Sequence, residues 1–307
     1  MDKEYIKLCA ELAYNDVIIE SVLLEDSDDN SILDKIKSFF EMIKKVISSV
    51  ANKIQTFIMD KVKEFKKKVE QINIKHAEIK HANIQHANIQ HADIKYTNHE
   101  STDILNESID YAKVMHDFYN DVIENKLIKS EKEHLSKLRS CVSEIDKWFE
   151  KGKTDTNEFG ETRAIYNIES SAKKFVENAD EDIKDCSKES ISKEFNNTIM
   201  DKIDSDKERS NLPTNTALNL CIDIAKRHEK SVKEYISVID ESKKNIERKF
   251  RDASKGIKAK YNKAEIAYYR SLKDIYTKSS NCLNKLQSGY AQAAVLMFKT
   301  IPSTFSA

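Results

Sequence analysis

The chain has 307 residues, enough for one or two domains or for a long helical rod, and it contains only 4 Gly and 2 Pro. So few residues that permit tight turns or positive φ argue against glycine-rich nucleotide folds and β-sandwiches. Charged residues make up 34% and hydrophobic residues 39% of the chain, which is typical of long amphipathic helices. The sequence therefore predicts an all-α protein, an elongated helical bundle or coiled coil.

The cysteines and the apolar runs bear on the protein's cellular setting. Cys9, Cys141, Cys186, Cys221 and Cys282 are odd in number and never form a C-x-x-C pair, so we expect neither a disulfide framework nor a zinc site. A reducing compartment fits this usage. No apolar run reaches the roughly 18 residues of a membrane span, and the N-terminus lacks the pattern of a signal peptide.

Residues 1–30 form an acidic N-terminal arm. Nine acids stand against two lysines, a net charge of −7, within an overall charge of −1. Apolar residues including Ile6, Cys9, Ala13 and Val17 suit a short helix, and a polar linker follows from Asp26.

Residues 31–70 are predicted to form a basic amphipathic helix. Between 31 and 69, ten lysines stand against four acids, a net charge of +6. One apolar stripe has helical spacing and comprises Ile36, Phe39, Ile43, Val46, Val50, Ile54, Ile58, Val62, Phe65 and Val69. The opposite charges of the arm and this helix lead us to expect that the arm masks Lys35 to Lys68.

Residues 71–105 repeat with a period of five: QINIK, HAEIK, HANIQ, HANIQ, HADIK, YTNHE, STDIL. Five residues of an α-helix turn 140° beyond one full rotation, so no helical face collects the isoleucines. Units such as Ala82-Asn83-Ile84 and Ala87-Asn88-Ile89 resemble the pentapeptide repeat family, which implies a short stub of square β-helix. The alternative is a tandem duplication within an ordinary helix or loop.

Residues 106–212 are predicted to be helical with an acidic arm. One helix pauses near Lys126, and Ser130 with Glu133 has the spacing of a capping box that restarts it. After a polar bridge from Gly152 to Gly160, residues 155–208 carry fifteen acids against eight Lys or Arg, a net charge of −7. We expect this part to be acidic and solvated.

Residues 213–307 begin at Pro213, and their apolar positions alternate by three and four, which predicts one coiled-coil helix of about 75 residues followed by a short tail. Within it, 243–285 carries thirteen Lys or Arg against four acids. Tyrosines are interleaved with these cations, as in polyanion-binding surfaces. The candidate contact residues are Lys244, Arg248, Arg251, Lys255, Lys258, Lys263 and Arg270. The alternative is a solvated helix with its tyrosines in the seam.

Catalytic and metal-binding motifs are not evident. His76, His81, His86 and His91 recur every five residues, whereas two ligands on one helix face need a spacing of three or four. The adjacent carboxylates of Asp180, Glu181 and Asp182 are a candidate for paired-carboxylate chemistry, but a solvated charged face is the better interpretation. We expect a protein without enzymatic activity, metal or cofactor.

Two short motifs in the arm, Ile18-Ile19-Glu20 and Leu23-Leu24-Glu25, fit an I/L-x-E pattern. The pattern resembles the maturation sites of internal and prohead proteins of tailed bacteriophages, in which a short acidic leader precedes a basic helical body. The resemblance implies processing at Glu20 or Glu25, and a place in the virion or the host cytoplasm.

We therefore expect a structural or assembly protein, a bacteriophage virion component. Its partners would be other virion proteins or further copies of itself in a homo-oligomer, and nucleic acid through the basic residues. The alternative is a helical membrane-active protein, pore-forming or peripheral, with 31–69 or Ala291 to Phe298 as the inserting element. The segment Ala291 to Phe298 has eight residues, seven of them apolar, which is too few for a span, so membranes are the less favoured partner.

Overall fold

The computed structural model describes Ala10 and residues 32–87, 111–154, 158–200, 214–251 and 263–301. These ranges form seven α-helices: α1 Ile32–Ala87, α2 Tyr111–Tyr119, α3 Lys129–Thr154, α4 Glu158–Asn178, α5 Lys188–Thr198, α6 Thr214–Arg251 and α7 Lys263–Lys299. A π-helical segment, Asn120–Ile128, joins α2 to α3, and a 3₁₀ helix, Glu181–Cys186, precedes α5. Within these ranges there is no strand. The all-α prediction is confirmed.

Helix α7 is the centre of the bundle, and α1, α3, α4, α5 and α6 all pack against it. Its buried residues lie on most of its circumference, including Tyr268, Ile275, Tyr276, Leu283 and Tyr290. A helix that is covered in this way can be stable in water only if amphipathic neighbours surround it. The described helices accordingly share one hydrophobic core.

Helix α1 runs parallel to α7. Phe40, near the start of α1, meets Tyr276 edge to face, and Phe65, further along α1, stacks on Phe298 near the end of α7. The predicted apolar stripe of α1 is buried from Ile36 to Phe65. The helical spacing of these residues therefore results from their packing against the core. The backbone remains α-helical to Ala87. The β-helix interpretation is therefore wrong for residues 71–87, and residues 88–105 lie outside the described part.

Helices α6 and α7 pack side by side in opposite directions. The thiol of Cys221 points to the carbonyl oxygen of Ala294 at 3.8 Å, whereas Ser242, near the other end of α6, accepts a hydrogen bond from Tyr276. The single helix of about 75 residues predicted for 213–307 is therefore wrong. Its alternating apolar positions are shared between two helices that bury their stripes in the same core.

The chain between α2 and α3 is helical without interruption. The residues at both ends of the π-helical segment, Tyr119 and Lys129, have right-handed helical φ and ψ. The predicted pause near Lys126 and the restart at Ser130 are wrong, because the backbone stays helical across this segment by forming wider π turns. Val122, Ile123 and Leu127 of the segment are buried.

The acidic region after Gly152 is part of the bundle. Ile168 and Phe175 of α4, Ile183 of the 3₁₀ helix, and Ile191 and Phe195 of α5 are buried, and these elements pack on α7. The expectation of a solvated arm is wrong for 158–200, because its few apolar residues are concentrated on the faces that pack on α7, α3 and α2. Ser187 caps α5 by accepting a hydrogen bond from the Ser190 amide at 3.1 Å.

Gly289 allows α7 to approach its neighbours closely. A Cβ atom there would lie 2.7 Å from Leu127 Cδ2 and 3.0 Å from both the Cys186 carbonyl oxygen and Ile191 Cδ1. The contact joins α7 to the π-helical segment, the 3₁₀ helix and α5, so any larger side chain would push three elements apart.

Candidate functional site

The most distinctive chemistry of the described residues is a layer of polar side chains inside the bundle, between α3, α6 and α7. Its members are buried, and they comprise Glu131, His134, His228, Ser231, Ser279, Ser280, Gln287 and Tyr290. Buried polar groups lose their hydration and cost free energy unless hydrogen bonds replace it. This layer is therefore the first place to look for function.

Glu131 lies near the start of α3 and is 4% exposed. Burial raises the pKa of its carboxyl group to about 7, the hydroxyl groups of Ser231 and Tyr290 oppose this shift, and the carboxylate of Glu234 reinforces it. The group therefore titrates close to neutral pH inside the bundle.

His228 of α6 is fully enclosed between Gln287 and Tyr290 of α7, and its ring centroid lies 5.5 Å from that of Tyr290. Burial lowers the pKa of its imidazole to about 4, although the Gln287 amide and the carboxylate of Glu229 oppose the shift. Within the part of the chain that the structure describes, no hydrogen bond of full geometry reaches either ring nitrogen of His228 or the amide of Gln287. The interaction between these two side chains therefore compensates only part of their desolvation cost.

His134 forms the second half of the layer. Its Nε2 atom lies 2.7 Å from the hydroxyl oxygen of Ser279, and its ring packs at 5.7 Å from that of Phe175. Burial lowers the pKa of this imidazole to about 4, against the opposing charges of Asp182 and Asp180. The bundle thus contains two histidines that remain neutral well below their ordinary titration range.

Two of the three candidate carboxylates, Asp180 and Asp182, have a structural role, whereas Glu181 is exposed and pairs with Lys184 at 3.2 Å. Asp180 accepts hydrogen bonds from Lys278 at 2.5 Å and from Lys285 at 2.8 Å, and Asp182 forms an ion pair with Lys137. These bonds fasten the 3₁₀ region to α7 and α3. The solvated-face interpretation missed them because all three lysines are remote in sequence.

The structure describes the side chains of four of the seven predicted polyanion contacts, and these four lie on two helices. Lys244 and Arg248 lie near the end of α6, Lys263 and Arg270 near the start of α7, and all four are exposed. The antiparallel pairing of α6 and α7 brings them to one end of the bundle, which we call the basic end. The side chain of Arg251, together with Lys255 and Lys258, lies outside the described residues.

Two of the tyrosines among these cations, Tyr268 and Tyr276, are enclosed in the core and are not part of a stacking surface. Tyr268 stacks on Phe149 at 4.2 Å and donates a hydrogen bond to Asp146, while Tyr276 packs against Phe40. Both are buried, so the expectation that these two rings stack on bases is wrong. The alternative, tyrosines within the helix seam, describes them correctly.

Glu20 and Glu25 lie outside the described residues, as do His91 and the side chains of His76, His81 and His86. The described residues contain no group of three or more His, Cys, Asp or Glu placed to hold a metal ion. None of the helices in the described ranges is long and apolar enough to cross a membrane.

One surface groove of 530 Å³ runs along α7 beside α4. Its lining residues are Glu169, Ala172, Lys173, Val176, Arg270, Ser271, Asp274, Thr277, Lys278 and Asn281. Sequence reasoning missed both the groove and the buried polar layer. The signal for the layer was the density of Ser, Asn and Gln in α7, which does not show that these residues are enclosed.

Comparison with known proteins finds no significant match. The sequence matches no protein-family model, and neither a curated protein nor a solved structure shows significant similarity to it. Function is therefore argued from the geometry.

Proposed function

We propose that this chain is a structural protein without enzymatic activity, a component of a bacteriophage particle, that binds other macromolecules through the outside of its helical bundle. The observation that carries the proposal is the basic end. Lys244, Arg248, Lys263 and Arg270 come from two helices and are exposed at the same end. Exposed cations that are held at one end of a rigid body suit contact with DNA or with an acidic protein surface.

The bundle supports this role by positioning those cations. Neighbouring charges are engaged in pairs that join helices: Lys249 lies 3.1 Å from Asp146, and Lys153 donates to the Lys249 carbonyl oxygen at 3.1 Å. These bonds hold the end of α6 against the end of α3. The order of an acidic arm before a basic helix, with two I/L-x-E motifs, supports a place in a phage particle.

Duplex DNA binding over a range of salt concentrations tests the basic end. Replacing Lys244, Arg248 and Lys263 by Gln should weaken binding and flatten its salt dependence, by about 0.9 in the log–log slope for each phosphate that is no longer neutralised. Lys129, Lys132 and Lys226 are also exposed but lie toward the other end, so their replacement by Gln is the matched control. Equal effects of the two triple variants would contradict a specific basic end. Mass spectrometry of purified particles tests the virion assignment separately.

A membrane-active function is the second candidate, and one observation favours it. Residues 286–298 of α7 contain no charged residue, and most of them are enclosed by amphipathic helices. Exposure of this segment would require the bundle to open, with Phe298 leaving Phe65. Flotation with anionic vesicles at low salt tests this candidate, and a chain that stays unbound counts against it.

A further inference from the structure

Two aromatic side chains on the outside of α4 are exposed to solvent. Phe159 is 90% and Tyr166 is 70% exposed, and among the described residues they are the large hydrophobic side chains that remain in water. A separation of seven residues puts both rings on one helix face, with Arg163 between them. We call Phe159, Arg163 and Tyr166 the aromatic face. Single exposed rings are ordinary, whereas two on one face, together with an arginine, indicate a contact surface.

A tryptophan on α3 borders the aromatic face. The ring centroid of Trp148 lies 5.9 Å from the guanidinium carbon of Arg163 and 4.4 Å from the Nζ atom of Lys151. Trp148 is partly buried against the core, and it is the one tryptophan of the chain. Rings and cations are thus interleaved across the end of α3 and the start of α4.

The acidic side chains that the structure describes on α4 lie away from the aromatic face or are paired. At 100° per residue, Glu161 is about 160° around the helix from Phe159, and Glu169 is about 80° away. Glu169 lines the groove beside α7. Glu177 is further along the helix on the same side as Phe159, but it pairs with Lys173 at 3.8 Å.

Two cations on this side of α4 are available to a ligand. Arg163 and Lys174 are exposed, and neither forms an ion pair with another described residue. A guanidinium group presents a fork of N–H donors that matches a phosphate, and it also stacks on planar rings. The charge on the outside of α4 therefore complements a polyanion.

The aromatic face lies at the same end of the bundle as the basic end. A Cβ atom on Gly152, near the end of α3, would lie 2.9 Å from the Cβ atom of Ala164 and 3.8 Å from that of Ala264. The end of α3, the start of α4 and the start of α7 therefore meet, next to Lys263 of the basic end.

We propose that the aromatic face binds single-stranded nucleic acid, with bases stacked on Phe159 and Tyr166 and phosphates held by Arg163 and the basic end. This inference rests on the proposed function and names its ligand class. In a duplex the faces of the bases are covered by their neighbours, whereas a single strand exposes them to aromatic side chains. Cations alone would bind both forms through phosphate. The exposed rings therefore favour the single strand.

Binding of a labelled oligothymidylate of about 16 nucleotides to the full-length chain tests the proposal, with a duplex of the same length as the reference ligand. Phe159→Leu and Tyr166→Leu remove a ring and keep an apolar side chain, while Tyr166→Phe keeps the ring. Phe57→Leu, which removes a partly buried ring on α1, is the matched control. Urea denaturation shows whether each variant is folded, and Trp148 fluorescence reports binding beside the aromatic face.

Stacking predicts that Phe159→Leu and Tyr166→Leu each weaken single-strand binding about tenfold. Duplex binding by these variants should stay within about twofold of wild type, because phosphate contacts remain. Tyr166→Phe and Phe57→Leu should bind the single strand as wild type does. Arg163→Gln should lower the log–log salt slope by about 0.7 for one lost phosphate contact to a single strand.

Unchanged single-strand affinity in both leucine variants would overturn the proposal. The basic end would still stand if the duplex binds and the triple variant of Lys244, Arg248 and Lys263 weakens that binding, so the two failures are distinguishable. Sedimentation provides a further test. If the leucine variants abolish self-association of the chain and leave oligothymidylate binding intact, the aromatic face is a protein interface and the proposal is wrong.

Discussion

Helices α1 and α7 run side by side in the same direction, but they are stabilised by different chemistry. Between Ile36 and Phe65, α1 buries one apolar stripe, and its lysines form surface ion pairs such as Lys44 with Asp240. Helix α7 is covered on most sides and encloses Ser279, Gln287 and Tyr290 among its apolar residues. The comparison teaches that a peripheral helix can be interpreted from one stripe, whereas a central helix carries polar groups whose cost only the packed structure reveals.

The largest effect should come from truncating a side chain of α7 that contacts both α1 and α6. Tyr276 is fully buried, meets Phe40 and donates a hydrogen bond to Ser242. We expect Tyr276→Ala to cost about 4 kcal/mol in the free energy of unfolding, measured by urea denaturation. Tyr276→Phe should cost about 1 kcal/mol, the value of one hydrogen bond. If Phe57→Ala, at a partly buried position on α1, costs as much as Tyr276→Ala, the contrast between the helices is wrong.

The next largest effect is a dependence of stability on pH. It should arise from the two histidines that α3 and α6 bury against α7. His134 and His228 have pKa values of about 4 in the folded protein against 6.5 ordinarily. Because the unfolded chain binds protons first, stability should fall from about pH 6.5 toward pH 4, by roughly 3 kcal/mol for each histidine.

Glu131 acts in the opposite sense. Its pKa of about 7 exceeds the ordinary 4.5, so its contribution is fully present below about pH 4.5 and is lost as the pH rises through 7. Denaturation midpoints between pH 8 and pH 4 test the balance. Glu131→Gln should steepen the loss of stability in acid by roughly 3 kcal/mol, and His228→Gln should flatten it by a similar amount. An unchanged pH profile in both variants, or an equal change in the exposed His116→Gln control, would refute this assignment.

A smaller effect of opposite sign should come from removing a poorly compensated polar group. Gln287 is fully buried, and neither its amide nitrogen nor its oxygen has a hydrogen-bond partner in the described part. Gln287→Leu keeps a similar volume and should raise the free energy of unfolding by about 1 kcal/mol. A loss of stability in urea denaturation would mean that the amide serves the folded state.

The smallest effect should be seen on the surface of α1. Lys44 and Asp240 form a half-exposed ion pair between α1 and α6 at 2.7 Å. Lys44→Met should cost at most about 0.5 kcal/mol, because an ion pair in contact with water gains little over solvated charges. The difference from wild type should shrink further in high salt. A cost comparable with that of Tyr276→Ala would mean that charge, not burial, fastens α1.

The contrast between the helices also explains what could be predicted from the sequence. The stripe from Ile36 to Phe65 predicted α1, because helical periodicity reports burial directly. The alternating spacing after Pro213 correctly indicated helices with a buried stripe. It could not predict that the chain reverses direction between α6 and α7, because spacing carries no information on where a helix ends against its neighbour. The basic residues Lys244 and Arg248 could be named in advance, whereas the enclosure of His228 by Gln287 and Tyr290 depends on which three helices meet.

The π-helical segment sets the rotational phase of everything that follows it. Between Asn120 and Ile128 each turn takes more residues than an α turn, so Leu127 reaches Gly289 of α7. Shortening the segment by one residue would turn α3 by about 100° about its own axis. Glu131 and His134 would then leave the interior together, and the inner and outer faces of α3 would no longer match the bundle. Nine residues of unusual helix thus decide which side of the next twenty-six faces inward.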